Sequence, residues 1–164
     1  MPESPLRDYG LLVRAAIDAL AMSHPMQPPA LRFGAAVLTA SGRMHSAAVF
    51  WSATSTLTLH AEHAALSRAA CEGERDIVAI ACASSEDAAG RAYCHPCGIC
   101  RQLIYESALF SGREIDVVMA NLQGGFKVAK IADLVPDPWP MPARASKTSS
   151  NKKARMKADK KEKT

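Results

Sequence analysis

At 164 residues, 48% of them apolar and 22% charged, the chain has the size and balance of one globular domain able to bury a core. No apolar run approaches the ~18 residues of a membrane span and no basic-then-apolar leader opens it, so the cytoplasm is the expected compartment. The net charge of +4 is unevenly spread: nine Lys/Arg against Asp159 and Glu162 put +7 on residues 143–164 and leave −3 on residues 1–142.

In chain order, Leu6 to Met22 sets Leu11, Leu12, Ala15, Ala16, Ala19 and Leu20 near helical spacing and predicts an amphipathic helix. The proline-rich segment from His24 to Pro29 stops it, because proline withholds an N–H and restrains the residue before it. Arg32 to Leu38 reads as a strand, Ala40 to Arg43 as a turn and Met44 to Phe50 as the hairpin partner. A Ser/Thr-rich loop over Ser52 to Thr58 precedes an Ala-rich helix that starts after His60 and ends near Cys71. Asp76 to Ala83, with Ile77, Val78 and Ile80, suits a buried strand. A polar loop leads to Cys97, which opens a helix through about Leu109. Glu114 to Met119 and Gly125 to Ala129 are further strands, and Ile131 to Val135 a last helical turn. Strands alternating with helices predict a three-layer α/β domain with a mixed sheet. Residues 143–164 are Lys-, Ala- and Ser-rich without aromatics, too polar to offset the entropy of ordering. They are expected to form a disordered basic tail on a domain of residues 1–142.

The chemistry lies in two short segments. Five cysteines are an odd number, and a C-x-x-C pair in a chain without a leader points to metal binding rather than a disulfide framework. His60-Ala61-Glu62 supplies an imidazole, and Pro96-Cys97-Gly98-Ile99-Cys100 supplies two thiolates. Three protein ligands leave zinc a fourth position for water, which is the catalytic arrangement; structural zinc is closed by four. Cys97 and Cys100 at i, i+3 share a face of the first turn, so both sulfurs reach one ion. Both segments fall at predicted helix starts, where the dipole favours thiolate over thiol. Zinc with one neutral imidazole and two thiolates is formally neutral and acidifies water more than an anionic shell does. Glu62, two residues from His60, is the candidate acid/base and is assigned no bond to the metal. Structural zinc and a redox pair are the alternatives for the C-x-x-C. Cys94 competes as a ligand or is simply a buried loop cysteine, His63 and His95 flank the ligands, and Cys71 and Cys82 read as core residues.

H-x-E followed by P-C-x-x-C is the pattern of zinc-dependent deaminases of nucleobases, and the chain resembles the cytidine deaminase family in particular. Phe33-Gly34-Ala35-Ala36-Val37-Leu38 is similar to the family's V-G-A-A-L strand, and Ala40-Ser41-Gly42-Arg43 to the turn after it. His60-Ala61-Glu62 matches C/H-A-E, and Pro96-Cys97-Gly98-Ile99-Cys100-Arg101-Gln102 matches P-C-G-x-C-R-Q. The segment from Asp133 to Trp139 resembles the closing L-L-P-x-x-F, with Trp139 in place of Phe. The resemblance implies a three-layer α/β/α fold with a five-stranded mixed sheet, Zn²⁺ on His60, Cys97 and Cys100, and Glu62 as the catalytic group. It implies substrate contacts from Phe33, Ala61, Trp51 and Trp139, a small-molecule nucleoside substrate, and a homotetramer or homodimer with sites near subunit interfaces. Two departures stand out. The family's sugar-reading N-x-E-N falls on Val49-Phe50-Trp51-Ser52, so Val49 and Trp51 replace its Asn and Glu. Three-thiolate members carry Arg after the Glu where this chain has His63, in keeping with a neutral metal shell.

The leading expectation is hydrolytic deamination of the C4 amine of a cytosine nucleoside, cytidine or deoxycytidine, with release of ammonia. A deaminase of a modified aminoacyl nucleoside of the blasticidin S kind is the second reading, motivated by the missing N-x-E-N. Nucleic-acid binding or editing through the +7 tail is the third, against which lysine-rich ends without aromatics often bind polyanions only weakly.

Overall fold

The structure, a computed structural model, describes residues 9–24, 31–87 and 89–139. The start of the first predicted helix, the proline segment after His24 and the basic tail lie outside these residues. Nine elements follow in order: α1 (Gly10–Ala19), β1 (Phe33–Thr39), β2 (Met44–Ala48), α2 (Ala61–Cys71), β3 (Ile77–Ser84), α3 (Gly98–Ser111), β4 (Asp116–Ala120), β5 (Phe126–Lys130) and α4 (Ile131–Leu134), with single 3-10 turns at Leu20–Met22 and Ser55–Leu57. Every strand and helix expected from the sequence is present, with most ends moved by a residue or two; the first helix, expected over Leu6 to Met22, runs only from Gly10 to Ala19, with a 3-10 turn to Met22. The second strand stops at Ala48, and Phe50 instead makes a lone bridge to Leu59.

The sheet runs β2-β1-β3-β4-β5. It is mixed: β1 pairs antiparallel with both β2 and β3, β3 and β4 are parallel, and β4–β5 is antiparallel. β3 is the middle strand, and all eight of its residues are buried, as an apolar strand covered on both faces should be. A parallel pair needs a crossover, and α3 supplies it between β3 and β4.

Alternation along the strands gives the two faces different contents. On one face α1, through Leu12, Val13 and Ala16, packs on Ala36, Ala79, Ala81, Ala83, Val118 and Ala120. On the other, α2 and α3 cover Val37, Ile80, Cys82, Val117 and Met119. The small residues let α1 lie almost against the backbone of β1: a Cβ on Gly34 would stand 2.2 Å from the Ala16 carbonyl oxygen. At its far end α3 is closed by Gly112 in the left-handed region, φ 65°, where glycine avoids the Cβ clash. No helix among the described residues is long and apolar enough to cross a membrane.

Candidate active site

His60 and Cys97 hold equivalent positions. Each is the N-cap residue of its helix, extended at φ −64°, ψ 153° for His60 before α2 and φ −71°, ψ 171° for Cys97 before α3. N-cap side chains usually accept from the helix's own free N–H groups, but neither of these does. Both point instead into the space between the two helix starts, where Cys100 joins them from the first turn of α3. His60 Nδ1 lies 3.3 Å from Cys100 Sγ and 3.4 Å from Cys97 Sγ, and the two sulfurs are 3.5 Å apart. Tetrahedral zinc with Zn–S of about 2.3 Å and Zn–N of about 2.0 Å sets ligand–ligand edges of about 3.5–3.8 Å. The triangle fits that ion with little adjustment, and its chemistry of one imidazole and two sulfurs is zinc chemistry. Among the described residues this is the one group of three or more His, Cys, Asp or Glu with ligand atoms close enough to hold a metal.

The electrostatics of the triangle depend on a cation. Burial, and next the charge of Glu62, push the Cys100 thiol up from its ordinary range. A divalent cation at the triangle reverses that balance and makes the thiolate the stable form. The His63 ring stacks on His60 with centroids 5.3 Å apart and planes 15° from parallel. Burial, and then the neighbouring His60, lower the His63 pKa and favour its neutral ring. Cys94 does not join the triangle. It is buried, its N–H donates to the Ala120 carbonyl at 2.9 Å, and its carbonyl accepts from Cys82 Sγ at 3.3 Å. Cys82 is buried with it, as a core residue, whereas Cys71 is exposed at the end of α2 rather than in the core.

The triangle opens onto a cavity of about 280 Å³ lined by His60, Ala61, Glu62 and Cys97; Ala61 and Glu62 are buried and form its floor, whereas Cys97 is exposed. Glu62 is only 7% exposed. Phe33 and Trp51 form an aromatic wall, ring centroids 6.5 Å apart and tilted by 56°, and Val49 extends it. The Trp51 indole N–H is buried and has no hydrogen-bond partner among the described residues. Thr58, Glu86, Cys94 and His95 complete the lining. Of the residues singled out from sequence, Trp139 is not brought to this cavity. The chain after α4 runs along α3, so its indole is 78% exposed and its carbonyl accepts from Gln102 Nε2. Thr58 and Glu86 are cavity residues that the sequence reading missed; nothing in their spacing marks them, because loop conformation alone brings them in.

The model of the family described as "Cytidine and deoxycytidylate deaminase zinc-binding region" matches residues 7–111, both metal-ligating segments included. The chain belongs to this family. A curated cytidine deaminase from Halalkalibacterium halodurans is 34% identical over 131 residues, 79% of this chain and 92% of that protein. The crystal structure of cytidine deaminase from Burkholderia pseudomallei is similar with TM-score 0.69 and 29% identity, over 79% of this chain and 97% of that one. Cytidine deaminase from Mycobacterium tuberculosis is similar with TM-score 0.66 and 25% identity, over 82% and 98%. The chain is thus a zinc-dependent hydrolytic deaminase with the five-stranded fold of these enzymes.

Within this deaminase the R-Q after the second cysteine has a visible structural part. Arg101 Nε donates to the Pro96 carbonyl at 2.9 Å and clamps the loop that carries Cys97. Gln102 Nε2 donates to Glu106 Oε1 at 2.7 Å as well as to the Trp139 carbonyl, tying the C-terminal segment to α3.

Proposed function

We propose that this deaminase hydrolyses the C4 amine of cytidine or deoxycytidine to a carbonyl with release of ammonia, using His60, Cys97 and Cys100 as zinc ligands and Glu62 as the proton carrier. The observation that carries the reading is a buried carboxylate beside a three-ligand triangle on the floor of a cavity with an aromatic wall. Zinc, when bound there, supplies an acidified water. Glu62 is placed to take that water's proton and pass protons on to the ring nitrogen and to the departing amine. Phe33 and Trp51 provide the flat apolar surface against which a pyrimidine packs. Exposed Phe50, Leu57 and Phe110 support assembly as a homodimer or homotetramer.

The decisive assay is ammonia release from cytidine, deoxycytidine and blasticidin S. Glu62→Ala, with zinc content kept, is expected to lower turnover about 10²–10⁴-fold. A Glu62→Ala protein as active as its parent would exclude this mechanism. The apolar Val49 and Trp51 in the wall favour one second reading, a modified aminoacyl nucleoside as the better substrate. Higher kcat/KM for blasticidin S than for cytidine would establish it.

A further inference from the structure

The wall formed by Val49 and Trp51 offers no carboxylate or amide to a substrate's sugar, yet another part of the cavity lining does. Glu86 follows directly on β3 and lines the same cavity as His60 and Glu62. Its backbone belongs to a braced loop: the Asp87 carboxylate accepts from the N–H groups of Ala89, Arg91 and Ala92 at 2.7–2.9 Å. Its side chain is anchored by one oxygen, since Ser84 Oγ donates to Glu86 Oε2 at 3.2 Å. Oε1 has no hydrogen-bond partner among the described residues, and Glu86 is exposed where Glu62 is buried. Glu62 therefore marks the floor and Glu86 the mouth.

Ring chemistry fixes what meets each. The reacting C4 must lie at the floor, by Glu62 and the metal ligands. N1, which carries the sugar, is para to C4 on the six-membered ring, so its substituent points to the mouth. A carboxylate only accepts hydrogen bonds. No Lys or Arg is among the described residues lining the cavity, and Glu62 adds a second acidic group.

We propose that Glu86 is a specificity-determining residue of this deaminase: it reads hydrogen-bond donors on the N1 substituent, hydroxyl or ammonium, and rejects a phosphate there. The inference rests on the deaminase reading of the floor for the orientation of the ring. It moves sugar recognition from the end of β2 to the loop after β3.

The test compares the zinc-loaded parent with Glu86→Gln and Glu86→Lys on cytidine and cytidine 5′-monophosphate, together with equilibrium binding of the two products, uridine and uridine 5′-monophosphate. Loss of a charged acceptor should raise KM for cytidine about tenfold in Glu86→Gln, with kcat changed less than about threefold. The preference for nucleoside over nucleotide should shrink at least about tenfold in Glu86→Gln and further in Glu86→Lys, and product binding should follow the same order. A nucleoside-to-nucleotide ratio within about twofold of the parent in both variants overturns the proposal, as does a loss confined to kcat. Should the parent turn over neither compound, the deaminase reading of the substrate fails, and product binding still decides Glu86 on its own.

Discussion

The two faces of the sheet solve opposite problems. On the α1 face, alanines and Gly34 bring helix and sheet together until a single added methyl has no room. On the α2/α3 face the side chains are larger, and both helices start at the reactive end, where their first residues and Glu86 after β3 line the 280 Å³ cavity. Close packing with small residues makes a chemically silent support; bringing two helix starts together at one end of the sheet makes room for a metal and a ligand. The cavity sits at one end of the sheet, its lining running from Phe33 of β1 and Val49 after β2 to Glu86 after β3.

That division predicts separable failures. The largest is metal removal: dialysis against a zinc chelator should take ammonia release to background, and stoichiometric zinc should restore it. Failure of zinc to restore activity to a protein that still gives its native circular dichroism would undo the assignment of the triangle. Next is Gly34→Ala, which drives a methyl into the Ala16 carbonyl and should cost about 3 kcal/mol in urea unfolding. The folded fraction should keep its zinc and its kcat; a variant that folds but has lost kcat would show that the faces are coupled. The smallest is Trp51→Phe, which keeps an aromatic wall and removes a buried N–H that has no partner among the described residues. Its stability should match or exceed the parent's by up to about 1 kcal/mol, and KM should move far less than in Trp51→Ala.

Much of the scaffold was legible in the chain because its signals are local. Helical spacing marks α1, an unbroken apolar run marks β3, and the ligand motif needs only three residues at one site and five at another. What escaped depends on contacts between segments remote in sequence. Glu86 looks like any acidic loop residue until Ser84 and Asp87 set its conformation. Arg101 and Gln102 follow a ligand in sequence, but their roles come from carbonyls at Pro96 and Trp139. Gly34 reads as one residue of a strand motif, and only the approach of α1 leaves it the least room for a side chain of the described glycines. Trp139 matched a closing motif, yet its place is set by what α3 offers it rather than by the cavity.

The capping geometry of His60 and Cys97 also has a thermodynamic consequence. These residues are 37 apart in sequence, and the chain between them contains all of β3, the middle strand. An ion gripping both cross-links the polypeptide around that strand much as a disulfide would, but reversibly. Because it binds the folded form far better than the unfolded one, each tenfold rise in free zinc above its dissociation constant adds about 1.4 kcal/mol to the folding equilibrium. The melting temperature of this enzyme is therefore a gauge of the zinc supply around it.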